Sequence, residues 1–212
     1  MRALLFPAVL ASVVLLVGCS GGSEPAAPPP SRVQSVAVAP VKARPAEHPA
    51  AWCDVYADAE SAEDAENIKA FSWPELDGQP APTKGSGWTW VNAWATWCKP
   101  CIEEMPRLAK WEQQLQGEVG PGSVRYLSLD ATAEVVAKFK AAKPELGAIA
   151  GDLRITDEAQ MDPWVESLGL EPAAAALPVH VFLDAQEKVR CVYMGGISEG
   201  EYATIKGLLT SL

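Results

Sequence analysis

The stretch that most limits what this chain can fold into is a strand pattern that runs straight into a helix with two cysteines at the junction. Trp88-Thr-Trp-Val-Asn-Ala-Trp-Ala-Thr is apolar and aromatic enough for a buried strand, Trp97-Cys98-Lys99-Pro100-Cys101 follows it directly, and a helical pattern continues to about Gln116. A helix N-terminus presents unpaired backbone N–H groups and about half a positive charge, so a sulfur at Cys98 is favoured as thiolate over thiol. Cysteines in such motifs ionise at about 3.5 to 7.5, against about 8.5 for a free cysteine. Lys99 and Pro100, between the two sulfurs, are expected to tune the pair, Lys99 by favouring the thiolate. Two intervening residues bring Cys101 round one helical turn toward Cys98. The pair can therefore close a disulfide, or Cys101 can resolve a mixed disulfide formed at Cys98.

The compartment is read from the other end of the chain. Arg2 precedes a mostly apolar run from Ala3 to Val17, too short to span a bilayer comfortably and flanked like a signal peptide. Its end, Leu16-Val17-Gly18-Cys19, resembles the lipobox of bacterial lipoproteins, which implies cleavage of residues 1–18 and acylation of Cys19. Ser20 after that cysteine favours the outer over the inner membrane within that resemblance. Residues 19–50 are proline-rich and, from Ser20 on, hold no aromatic residue, so they read as a semi-extended tether, with His48 inert inside it. Export into an oxidising compartment permits structural disulfides. With Cys19 set aside, four cysteines remain, and if Cys98 pairs with Cys101, then Cys53 and Cys191 can form a second bridge. The alternative for that second pair is a regulatory or additional redox role. A net charge of −10 argues against nucleic acid as a partner and leaves membrane attachment to the lipid.

Residues 51–70 form an acidic extension, expected to be an exposed helix or a loop pinned at Cys53. Residues 71–212 read as one domain. Phe71 to Gly78 is expected to be a short strand or hairpin, Trp88 to Ala95 the first buried strand, and the helix after Cys98 should be kinked by Pro106. Val124 to Asp130 reads as a strand, Thr132 to Ala142 as a helix, Lys143 to Thr156 as an ambiguous stretch with a short strand, and Asp162 to Gly169 as a short helix. Val179 to Leu183 and Val189 to Met194 make a hairpin, and Ser198, as N-cap, opens the last helix. Strand, helix, strand, helix, hairpin, helix is an α/β layout, a mixed sheet flanked by helices on both faces. With the cysteine pair opening the first of those helices, it reads as a thioredoxin-like fold.

From Phe71 onward the sequence resembles the exported, membrane-tethered thioredoxin-like family called TlpA, ResA or DsbE. The resemblance rests on Val91-Asn92-Ala93-Trp94-Ala95-Thr96-Trp97-Cys98-Lys99-Pro100-Cys101, on Cys101-Ile-Glu-Glu104-Met-Pro106, on Ala176-Leu177-Pro178 before Val179-His-Val-Phe-Leu-Asp, and on Gly195-Gly196. Asn92 stands where cytosolic thioredoxins hold a buried aspartate. The resemblance implies a cis bond before Pro178, with the Leu177 backbone free to pair with a substrate peptide and Trp97 as a contact surface. Leu177 replaces the family's usual threonine. Glu104, three residues beyond Cys101 and so on the same helical face, is the candidate for proton transfer, while Glu103 should face water. Trp94 and His180 read as core residues.

The expected activity is exchange of dithiol for disulfide with exported proteins: Cys98 attacks, Cys101 resolves, and Glu104 manages the second proton. No cofactor or metal is expected. By resemblance the direction is reduction, with apocytochrome c cysteines among the candidate substrates and electrons from a membrane donor of the CcdA/DsbD type. The alternatives are a copper-delivery module using Cys98, Cys101 and His180, a scaffold with a structural Cys98–Cys101 bridge, and a peroxidase, for which Thr96 lies at the wrong spacing.

Overall fold

The computed structural model describes residues 37–38, 49–58, 61 and 68–212. The leader, Cys19, His48 and most of the tether lie outside the described residues. Among the described residues no helix is long and apolar enough to cross a membrane.

In chain order the elements are β1 (Ala37–Val38), α1 (Pro49–Trp52), β2 (Val55–Tyr56), β3 (Trp88–Trp94), α2 (Lys99–Glu118), β4 (Gly122–Ser128), α3 (Ala133–Ala142) and α4 (Pro144–Ala150). They continue with α5 (Met161–Ser167), β5 (Ala176–Leu177), β6 (Val179–Leu183), β7 (Val189–Met194) and α6 (Tyr202–Thr210). Five strands form one sheet in the order β2-β7-β6-β3-β4, and β1 pairs with β5 in a separate two-stranded ladder. Only β3 and β4 run parallel within the large sheet, so it is mixed.

Every residue of β3 from Trp90 to Trp94 is buried. Side chains alternate faces along a strand, so an unbroken buried run means that both faces are covered. The Asn92 face lies under α2, and α6 packs beside α2 through Trp111 and Tyr202, with ring centres 5.2 Å apart. The 20-residue α2 runs on through Pro106 to Glu118.

The hairpin strands and the second strand–helix unit form where the periodicity puts them. Three stretches differ. Phe71 to Gly78 makes only single bridges, Leu76 to Ile155 with Ala70 to Lys188 just before it, rather than a strand or hairpin. Pro74 in its middle has no N–H to give a ladder. Half of Lys143 to Thr156 is helix, α4, opened by Pro144 in the first turn and ended by Gly151 at φ 61°, and the expected extended piece is reduced to single bridges at Arg154 and Ile155. Pro144 and Gly151 are helix start and stop residues, and they outweigh the apolar run between them.

The third difference is the start of the acidic extension, which is pinned at Cys53 as expected but is not solvated. Its first residues are core: Trp52 is wholly buried, stacked on Tyr193 at 4.2 Å and edge-on to Phe182 at 5.7 Å, and its indole N–H donates to Glu201 Oε1 at 3.0 Å. Val55 and Tyr56 then add an antiparallel edge strand to β7. Cys53 is bonded to Cys191 of β7 across a Cα separation of 5.6 Å and 138 residues of chain. A loop of that length loses much entropy when closed in the unfolded state. Replacing both cysteines with alanine lowers unfolding stability by about 3 kcal/mol, measurable as a lower urea midpoint than the parent's; an unchanged midpoint refutes a stabilising role.

Candidate active site

The site is built where β3 ends. Cys98 N–H bonds to Ala95 O at 3.0 Å, a tight turn that delivers Cys98 to the N-cap of α2 in an extended conformation. Thr96 in that turn is fixed from below by Asp130: its backbone N–H donates to Oδ2 at 3.0 Å and its hydroxyl to Oδ1 at 2.7 Å. Asp130 itself is buried and takes a further bond from Ser128 Oγ at 2.9 Å. It was not a candidate from the sequence, where an aspartate at a strand's end reads as an ordinary turn residue.

Cys98 and Cys101 are joined, their Cα atoms 5.3 Å apart, and Cys98 Sγ accepts the Cys101 backbone N–H at 3.3 Å. That N–H is one of the unpaired donors of a helix N-terminus, so charge on the Cys98 sulfur is stabilised by the backbone itself. Lys99 contributes less than its position suggests. Its side chain is 84% exposed and its ammonium lies 3.5 Å from Glu103, which is likewise exposed, so solvent screens it. Both cysteines are wholly buried, whereas Trp97 is half-buried.

One turn into α2, Glu104 is 1% exposed. Its Oε1 accepts from Asn92 Nδ2 at 2.7 Å and its Oε2 from the Ile197 backbone N–H at 2.8 Å. Burial pushes its pKa up to about 8, against the lowering effects of those two bonds and of Arg107. Arg107 also donates to Ile197 O at 2.5 Å and to Glu199 at 3.0 Å, holding the corner that supplies the Ile197 N–H.

His180, on β6, sits on the other side of the same carboxyl, with Nε2 3.4 Å from Glu104 Oε1. Burial pushes its pKa down to about 3, so it is neutral. The indole N–H of Trp90 can only donate, and it reaches His180 Nδ1 at 3.1 Å. The ring proton is therefore on Nε2, which faces Gly195 O at 3.1 Å. With both nitrogens engaged, His180 is a core residue and is not available as a third ligand for a metal held by the cysteines.

At the same end of the sheet, the Leu177–Pro178 bond is cis and Pro178 O accepts from Gly195 N–H at 3.0 Å. Val179, the next residue, pairs with Ala93 of β3, which places the proline at the end from which the chain leaves for Cys98. The structure thus gathers the cysteine pair, Glu104 and Pro178 around one end of the sheet and shows Leu177 1% exposed. The support from Asp130, Ile197 and Trp90 depends on tertiary pairing that no local pattern announces.

No family model matches the chain. A thioredoxin-related protein from Neisseria meningitidis serogroup B has a solved structure that aligns over 65% of this chain and all of its own, at 25% identity and a TM-score of 0.51. The chain has a thioredoxin-like fold. Another aligned structure is a putative thiol:disulfide interchange protein DsbE from Chlorobium tepidum, 21% identical over 59% of this chain and 79% of its own, TM-score 0.42. In sequence, the thioredoxin-like protein YneN of Bacillus subtilis is 35% identical over 49 residues, 23% of this chain. That match spans 29% of the relative's length.

Proposed function

We propose that this thioredoxin-like protein is a thiol-disulfide oxidoreductase of the cell envelope, lipid-anchored through Cys19, that reduces disulfides in exported proteins. The observation that carries the reading is the Cys98–Cys101 pair at the N-terminus of α2, with the buried Glu104 carboxyl one turn on. A Cys98 thiolate attacks one sulfur of a substrate disulfide and releases the other as a thiolate. Cys101 then attacks Cys98 Sγ, frees the second substrate sulfur and closes the bond between the two cysteines. Two electrons pass from the dithiol to the substrate, and the protons end on the substrate's thiols.

The Cys101 thiol must lose its proton for the second step. A carboxyl that holds its proton to about pH 8 is, once ionised, a stronger base than an ordinary carboxylate and better matched to a thiol. Glu104 takes that role from the same helical face. Electrons return from a membrane donor of the CcdA/DsbD type, and apocytochrome c cysteines are a fitting substrate class.

With dithiothreitol as electron source, the chain is expected to accelerate insulin disulfide reduction at least about tenfold over dithiothreitol alone. Equilibration with glutathione is expected to give a potential nearer about −270 mV than −120 mV. No acceleration defeats the proposal, and a potential near the upper value reverses its direction to oxidation.

A further inference from the structure

β5 is only two residues long, lies outside the five-stranded sheet and ends at cis-Pro178, which has no N–H. Its ladder partner is β1, brought from the far N-terminal part of the chain, in parallel register with Ala37 opposite Ala176 and Val38 opposite Leu177. Pairing across so much sequence carries a loop-closure cost, and nothing local favours it. The strand edge it occupies runs into Pro178, at the end of the sheet from which β3 leaves for Cys98, and Cys98 is wholly buried. Thiol-disulfide exchange needs an accessible attacking sulfur. Ala37 stays exposed, so its side chain does not drive the contact. Main-chain pairing of this kind tolerates many sequences and is easily exchanged for another extended segment.

We infer that Ala37–Val38 is an intramolecular ligand of the Ala176–Leu177 edge, which holds the cysteine site closed until an extended substrate peptide takes its place. This rests on the exchange activity proposed above. A substrate must then compete with a tethered strand, which raises its apparent KM by the reciprocal of the fraction of molecules open and leaves kcat alone, because the strand is already displaced in the bound complex.

The test uses the full chain carrying Ala37→Pro and Val38→Pro, which removes both N–H groups of β1. KM for insulin is expected to fall about three- to tenfold at constant kcat, and alkylation of reduced Cys98 by iodoacetamide to speed up by a similar factor. A synthetic peptide spanning residues 33–42, added in trans, is expected to reverse both changes in the variant and to leave the parent nearly unaffected. Intact exchange with unchanged KM and alkylation overturns the inference. If neither protein catalyses exchange, the proposed activity is wrong, and hydrogen exchange of the 176–177 amides decides the strand contact separately: protection lost in the variant supports it, and equal protection refutes it.

Discussion

Cys98→Ser is expected to abolish insulin reduction, by about a thousandfold or more, whereas Cys101→Ser attacks once and stalls as a covalent complex. The two cysteines are close in sequence but not equivalent in the fold. Cys98 occupies the N-cap of α2, where its sulfur accepts the Cys101 N–H at 3.3 Å, so its thiolate is the one the helix stabilises. A serine hydroxyl there stays protonated at neutral pH and does not open a disulfide. Cys101 lies inside the helix, one turn from Glu104, and its task begins only after the mixed disulfide exists. Non-reducing mass spectrometry of Cys101→Ser with a disulfide peptide is expected to find a one-to-one adduct at Cys98. An adduct formed instead at Cys101 by Cys98→Ser reverses the assignment of roles.

The second large effect is on stability and comes from Glu104. In the unfolded chain this carboxyl ionises near 4.5, whereas the folded protein holds its proton to about pH 8. Between those values the folded state binds more protons than the unfolded state, so stability is fully present below about pH 4.5 and is lost as pH rises through 8. From pH 5 to pH 9 the loss from this one group reaches roughly 4 kcal/mol.

Glu104→Gln removes the titration. One glutamine oxygen can still accept the Ile197 N–H, and its amide N–H then faces Asn92. Asn92 Oδ1 is buried without a hydrogen-bond partner, so turning the Asn92 amide over presents an acceptor where the donor was. The variant is therefore expected to fold and to show a flatter dependence of urea unfolding on pH, overtaking the parent on the alkaline side. Parallel pH curves for parent and variant contradict the buried-proton account. In the reduced protein, the same substitution is expected to change the pH dependence of Cys101 alkylation, the step in which Glu104 is given its part.

The elements most legible in the sequence were those whose pattern is local. β6 and β7 stand at their expected bounds because alternating β-branched and aromatic residues flank a turn around Asp184 to Glu187, and α2 begins at the cysteine pair because the apolar period changes there. Glu104 is a candidate from helical spacing and from the Cys101-Ile-Glu-Glu104-Met-Pro106 resemblance together. What spacing could not supply was its surroundings, since Asn92, His180 and Ile197 reach it from three other parts of the chain. The acidic extension shows the same limit: its pinning at Cys53 is legible in the sequence, the burial of Trp52 is not. Its composition favours water, but one tryptophan and one cysteine, Trp52 and Cys53, dominate its packing through contacts with β7 and Glu201. The β1 contact left no sequence signal at all, because two small apolar residues in a proline-rich stretch have no period to read.

The bond between Cys53 and Cys191 also settles how the domain answers to force. A pull on the chain upstream of residue 37 acts first on the two residues of β1, which are held to β5 by a short ladder. The next attachments are the buried Trp52 and, one residue on, the covalent bond that fastens the chain to a strand inside the sheet. Tension applied there strips β1 from β5 first and is then carried through Cys53 into β7, so under the inference above the cysteine site opens before the sheet is loaded. The bridge therefore acts as a mechanical stop between the two-residue β1 ladder and the sheet.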